Sequence, residues 1–233
     1  MKNVRNIVAV VPVKDMTLAK SRLAPQFGPT FRRQLAEAML DDVLAALTAS
    51  GVLADVTLVT IDPTARAMAL KWGAHVLEDG ARDGHTGAVA AAMRHFCTTH
   101  AGILTVPGDI PLVTPDEVRL LVGGHGKAPA FSIVPAHDHR GSNAILMSPV
   151  TAIPLTFGND SFLPHLATAR SLGIEPRIVP LAGIGLDIDN TDDLRRLIDR
   201  PASTRTWAFL AGQGVVEPFT DDCCQGVHSK DHH

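Results

Sequence analysis

Three cations fall within nine residues of one another in the loop after the first apolar run: Lys14, Lys20 and Arg22, in Val11-Pro12-Val13-Lys14-Asp15-Met16-Thr17-Leu18-Ala19-Lys20-Ser21-Arg22-Leu23. A polyphosphate needs its charge neutralised, and here Arg offers paired hydrogen bonds while Lys acts as a point charge. The chain has no Walker A sequence and no G-x-G-x-x-G, so side chains rather than a glycine cradle would supply the positive field. The plain alternative is a solvated basic loop. Position decides toward function, because loops at the carboxyl ends of parallel strands are where ligands bind.

Carboxylates follow at two later places. Asp109 stands in Pro107-Gly108-Asp109-Ile110-Pro111-Leu112, directly after a buried apolar run. One or two carboxylates plus substrate phosphates suffice to hold Mg²⁺. A turn or capping Asp is the alternative there. Leu186-Asp187-Ile188-Asp189-Asn190-Thr191 puts Asp187 and Asp189 on one side of an extended segment. Two carboxylates on one side repel unless a cation or solvent separates them. Asp187 is the favoured second metal ligand, with Asp189 as a third candidate; Asp189 or Asn190 is alternatively the cap of the last helix.

A further stretch pairs Gly with small hydroxyl and amide residues: Arg140-Gly141-Ser142-Asn143-Ala144 and Phe157-Gly158-Asn159-Asp160-Ser161-Phe162. Asp160 and Ser161 sit where a helix should begin, a place suited to an anion. By itself the stretch reads as two turns and a cap. The eleven His form no zinc-type spacing, and His85 reads as a surface-loop histidine. Ser148 and Cys97 have no base partner visible in the sequence, so nucleophilic catalysis is not supported.

The elements that must position these residues alternate. Strands are expected at 6–13, 56–60, 75–77, 102–106, 130–134, 144–147 and 177–179, with 186–188 short and extended. Helices are expected from Pro29 to Ser50 with Gly51 as stop, at 65–72, near 87–98, from Pro115, from an Asp160 cap to about Leu172, and near 192–198. This alternation predicts a mostly parallel, doubly wound sheet. It divides the chain into a domain at 1–200 and a tail at 201–233, where the pattern fades and the end reads as mobile.

The 233 residues and 45% hydrophobic content suit one packed α/β domain. A net charge of -3 gives no global basic field for nucleic acid. The first apolar run is too short for a membrane span or signal segment. Three cysteines, Cys97, Cys223 and Cys224, form no disulfide framework, and a reducing cytoplasmic setting is expected.

Together these pieces resemble the guanylyltransferases of coenzyme F-420 biosynthesis, which act on 2-phospho-L-lactate, phosphoenolpyruvate or 3-phosphoglycerate. The resemblance lies in the run at 11–25, Gly-Asp-Ile-Pro-Leu at 108–112, Gly-Ser-Asn-Ala at 141–144, Phe-Gly-x-x-Ser-Phe at 157–162 and Leu-Asp-Ile-Asp at 186–189, in the family's order. It implies an α/β, Rossmann-like, three-layer nucleotide-diphospho-sugar transferase fold (GT-A-like nucleotidyltransferase) with a mostly parallel mixed sheet. It implies GMP transfer from GTP to a phosphorylated three-carbon acid with release of pyrophosphate. Asp109 and Asp187, with Asp189 beside them, would hold Mg²⁺ or Mn²⁺. Lys14 would meet the acceptor or the phosphates, with Lys20 and Arg22 on the triphosphate. Asn143, Gly158 and Ser161 would hold the acid, with Ser142 next to them.

Two departures from the pattern bear on specificity. Relatives often carry Gly-Leu-Asn-x-Ala where this chain reads Gly84-His85-Thr86-Gly87-Ala88, so Thr86 replaces an Asn on the nucleotide side. Ser142-Asn143 stands where some members have two Thr. A homodimer and hand-over of the product to the next enzyme stay open. The alternatives are another nucleotidyltransferase of this fold, acting on a sugar phosphate or the molybdenum cofactor, and a non-catalytic nucleotide-binding module.

Overall fold

A computed structural model describes residues 6–158 and 160–216. The expectations for Met1–Arg5, for Cys223 and Cys224 and for the mobile end of the chain lie outside these residues. Among the described residues no helix is long and apolar enough to cross a membrane.

The strands are β1 (Ile7–Pro12), β2 (Asp55–Val59), β3 (His75–Leu77), β4 (Gly102–Thr105), β5 (Ala130–Pro135), β6 (Ser142–Ser148) and β7 (Arg177–Ile178). The helices are α1 (Pro29–Ser50), α2 (Pro63–Lys71), α3 (Gly84–Phe96), α4 (Pro115–Gly123), α5 (Phe162–Ser171), α6 (Thr191–Ile198) and α7 (Arg205–Gly212). One seven-stranded sheet has the order β3-β2-β1-β4-β6-β5-β7. Among these strands β6 alone runs against the rest, pairing antiparallel with both β4 and β5. The mostly parallel mixed sheet expected from the sequence is what the chain forms.

The central strand β1 is apolar on both faces because helices cover both. Ile7, Ala9 and Val11 pack with Leu40, Val43, Leu44 and Leu47 of α1 and Val118 and Leu121 of α4. Val8 and Val10 point the other way, into a core with Ala88, Val89 and Phe96 of α3 and Phe162 and Leu166 of α5. The result is the three-layer sandwich.

Local chemistry sets the helix ends. Gly28 caps α1 ahead of Pro29, and Gly51 closes it in the left-handed region at φ 63. Thr114 and Glu117 form a capping box on α4, and Asn190 and Asp193 form one on α6. Asn190, not Asp189, is therefore the cap of α6.

Three expectations need correction. The helix at 87–98 begins earlier, at Gly84, so His85 and Thr86 lie in its first turn. Ser161, not Asp160, precedes α5, and the Asp160 carboxylate pairs with Arg140 at 2.7 Å. The pattern does not end at Pro201. Trp207 and Leu210 of α7 pack against Leu35 and Met39 on the outer side of α1, in a third core with Leu186 and Ile188. An eight-residue helix leaves little periodicity to read. Residues 186–188 join no strand; their apolar side chains anchor them in that third core instead.

Candidate functional site

The loop after β1 folds into two 3-10 turns, Met16–Leu18 and Ser21–Leu23. Asp15 caps the first through the Thr17 amide, and the Met16 amide donates to Asp62 at 3.0 Å. Between the turns Lys20 takes a left-handed conformation, φ 53 and ψ 43. A residue with a Cβ enters that region at a cost of about 1–2 kcal/mol, and such positions gather at functional sites.

That conformation turns the Lys20 side chain inward, where it is 7% exposed. Its ammonium donates to Asp109 and, at 3.1 Å, to Asp189. Burial opposes the charge on Lys20, but the two carboxylates outweigh it and raise its pKa. Arg22, 62% exposed, stands at the rim 3.6 Å from Asp189.

Asp109 follows β4, and the Ile188 amide donates to its backbone carbonyl at 3.1 Å, so the segment carrying Asp187 and Asp189 lies against the Asp109 loop. Gly183 allows that approach. A Cβ there would collide with the Leu112 carbonyl, and its amide donates to Glu117 at 2.7 Å. Asp187 accepts from Asn143 at 3.0 Å. Burial raises the Asp187 pKa, and the charges of Asp109 and Asp189 add to it.

Asn143 reaches Asp187 through a β-bulge. Val134 pairs with Ala144 and Pro135 with Ser142, so Asn143 is the extra residue of β6. Bulges re-aim side chains, and the freed amide group meets both the Ile184 carbonyl and Asp187.

Among the described residues no three His, Cys, Asp or Glu form a ready metal cage. The residues still fit a divalent cation held by two carboxylates. Oδ1 of Asp109 is buried with no partner among the described residues, and Asp187 is a desolvated carboxylate near enough to feel the Asp109 charge. Asp189 differs, because both of its oxygens are already held, one by Lys20 and one by Arg22, whereas Lys20 engages only one oxygen of Asp109.

A cavity of about 480 Å³ opens here, lined by Lys14, Lys20, Asp109, Asp189 and His85. A second, of about 650 Å³, adjoins it and shares Lys14 and Asp15. His85 is not a surface histidine. Its ring lies on Phe157 with centroids 4.2 Å apart, and burial lowers its pKa to about 4, with Lys14 adding and Asp109 opposing. It is neutral at pH 7.

Thr86 faces the protein rather than the cavity. Its hydroxyl accepts from the Phe157 amide at 3.0 Å, tying the 154–158 loop to the start of α3. Gly158 follows directly, and open space surrounds it. Ser142 and Ser161 meet at 3.2 Å, and both lie beside His165 of α5, which sequence reasoning missed. Lys14, Lys20, Asp109 and Asp189 thus share the cavity wall. Asn143 and Asp187, with Ser142 and Ser161, form a second group joined to that wall by the Asp109–Ile188 backbone bond.

Ser148 does have a histidine partner, His125 at 3.2 Å, contrary to expectation. Both are buried at the end of β6, where His125 also meets Ser132 of β5, and neither lines the cavity.

Residues 7–221 match the family model for CofC-like guanylyl transferases. A phosphoenolpyruvate guanylyltransferase of Roseiflexus castenholzii is 38% identical over 199 residues, 85% of this chain and 91% of that one. A 2-phospho-L-lactate guanylyltransferase of Methanothermobacter thermautotrophicus is 30% identical over 87% of this chain and 88% of its own. In fold the chain is similar to a solved structure from Desulfovibrio desulfuricans, assigned as a nucleotide-diphospho-sugar transferase. The TM-score is 0.68 at 19% identity, covering 90% of this chain and 96% of that one.

Proposed function

The chain belongs to the CofC-like guanylyl transferase family, and from that premise we propose that this nucleotidyltransferase moves GMP from GTP onto a phosphorylated three-carbon acid. The acids proposed are phosphoenolpyruvate, 2-phospholactate and 3-phosphoglycerate, and the proposed setting is coenzyme F-420 biosynthesis. The observation that carries the reading is Asp109 on the wall of a cavity lined by Lys14 and Lys20, with one carboxylate oxygen buried and without a partner among the described residues.

The acid's phosphate oxygen would attack the α-phosphorus of GTP. The bond from that phosphorus to the bridging oxygen would break, and pyrophosphate would leave. The attacking group is already an anion, so no base is required. What remains is alignment and charge neutralisation. Lys14 and Lys20 on the cavity wall would meet the triphosphate, and Arg22 at the rim would help draw it in. Asn143, Ser142, Ser161 and Gly158 would hold the acid. Asp109 and Asp187 would hold Mg²⁺ or Mn²⁺, which when bound neutralises phosphate charge.

The test is pyrophosphate release with Mg²⁺, each of the four nucleoside triphosphates and each acid. Release only with GTP and one of the acids is expected. Release with a sugar phosphate instead would move the protein to another transferase of this fold. No release with any pair would reduce it to a binding module.

A further inference from the structure

His165 is 2% exposed, yet both of its ring nitrogens are engaged. The Thr156 amide points at Nε2 at 3.1 Å. An amide N–H can only donate, so Nε2 must be the bare, accepting nitrogen. A neutral imidazole then carries its proton on Nδ1. Nδ1 lies 3.0 Å from the Ser142 hydroxyl and therefore donates to it. The Ser142 and Ser161 hydroxyls share a hydrogen bond at 3.2 Å.

A hydroxyl has two lone pairs and one proton. With His165 donating to Ser142, the two serine hydroxyls hold two protons and spend one of them on the bond between them. One hydroxyl proton of the pair is left to donate, and among the described residues no further acceptor meets it. Ser142 is half-buried at the start of β6, next to the bulge that aims Asn143. A hydroxyl pair with a proton to spare suits an acceptor such as an anionic oxygen. A backbone amide sets this arrangement, and the bond from Phe157 to Thr86 in turn holds that stretch of backbone.

We propose that His165 is a positioning residue of the acceptor pocket: held in one tautomer by the Thr156 amide, it donates to Ser142 and so leaves the Ser142–Ser161 pair with a proton for an anionic oxygen of the acid. The proposal rests on the acid-acceptor reading given above. It explains why a histidine rather than an apolar residue stands at this buried position.

Two substitutions separate this role from mere packing. The His165→Asn carboxamide reaches only as far as Nδ1, so it keeps the donor to Ser142 and abandons the Thr156 amide. The His165→Gln carboxamide reaches Nε2, so it keeps the amide satisfied and drops the donor. Steady-state pyrophosphate release would give KM for the acid and for GTP in each. His165→Gln is expected to raise the acid KM about tenfold, the loss of one well-placed hydrogen bond, with GTP KM unchanged. His165→Asn is expected to keep the acid KM within about threefold while its unfolding midpoint falls. Ser142→Ala should match His165→Gln, and the double variant should lose no more than either alone.

Turnover by the wild type with an unchanged acid KM in both variants, or with Gln restoring it and Asn not, would overturn the assignment of His165 alone. No turnover by the wild type with any acid would remove the acceptor reading and the role with it. Independent of activity, ¹⁵N spectra of the imidazole should show Nδ1 protonated and Nε2 bare; a proton on Nε2 would overturn the proposal.

Discussion

The Lys20 ammonium donates to one oxygen of Asp109, while the other oxygen of Asp109 is buried with no partner among the described residues. The same ammonium holds Asp189 at 3.1 Å. Lys20 is thus a tethered cation in an acidic pocket, standing between carboxylates that would otherwise repel. It reaches that place through a left-handed backbone conformation that carries its side chain inward.

Removing the tethered charge tests that arrangement. Lys20→Met is expected to cost about 2 kcal/mol in a chelator, because it strands partly buried carboxylates. Added Mg²⁺ should raise the variant's unfolding midpoint more than the wild type's, and turnover should fall at least about a hundredfold. An unchanged midpoint in chelator would mean that solvent, not Lys20, balances the pocket.

Asp187 places a stability cost at the site. Its pKa is raised chiefly by burial, so its charged form is disfavoured in the fold, and its contribution worsens as pH rises above the ordinary carboxylate value of 3.8. Asp187→Asn keeps an oxygen for the Asn143 amide. In chelator at pH 7 it should unfold at a temperature equal to or above the wild type's, yet turn over at least about a hundredfold more slowly. Asp109→Asn should be as inactive, with its circular dichroism intact. Near-normal turnover in either variant would remove that residue from the metal site.

The buried histidines predict an acid-side loss of stability. Burial lowers the pKa of both His165 and His85 to about 4, below the ordinary 6.5. A depressed pKa means the fold binds fewer protons than the unfolded chain. Stability is therefore full above pH 6.5, falls as pH drops from 6.5 to about 4, and falls no further from these groups below that. At pH 5 each contributes a loss of about 2 kcal/mol at most. Denaturant midpoints at pH 7 and pH 5 should converge in His165→Asn relative to the wild type. Equal pH slopes in the two proteins would show that His165 does not titrate this way.

The helix after residue 204 belongs to the packed body. Asp42 of α1 accepts from the Arg205 and Thr206 amides at 2.8 and 2.9 Å, and Trp207 closes the third core. Trp207→Ala should cost about 3–5 kcal/mol in urea denaturation. A loss under about 1 kcal/mol would return α7 to the status of a loose appendage.

Much of the site is legible in the sequence because it follows from strand ends. Lys14 and Asp109 come directly after apolar runs, and parallel strands deliver their carboxyl ends to one edge. His165 and His85 are not legible that way. His165 matters through Ser142, 23 residues away, and through a backbone amide that no side-chain pattern announces. His85 reads as a polar loop residue until α3 begins three residues earlier than its apolar spacing suggests and lays the ring on Phe157. Thr86 was expected on the nucleotide side, yet its hydroxyl is bonded to the Phe157 backbone.

The sequence by itself determined the alternation of strands and helices, the two-sided burial of β1, the helix stops and which charges follow which strands. These depend on neighbours a few residues apart, through side-chain period, capping and backbone preference. Only the tertiary structure decided that Lys20 would meet Asp109 across 89 positions, that the bulge would aim Asn143 at Asp187, and that His165 would meet Ser142. Those outcomes turn on distances of about 3 Å between segments far apart in the chain, and packing sets such distances, not composition or spacing.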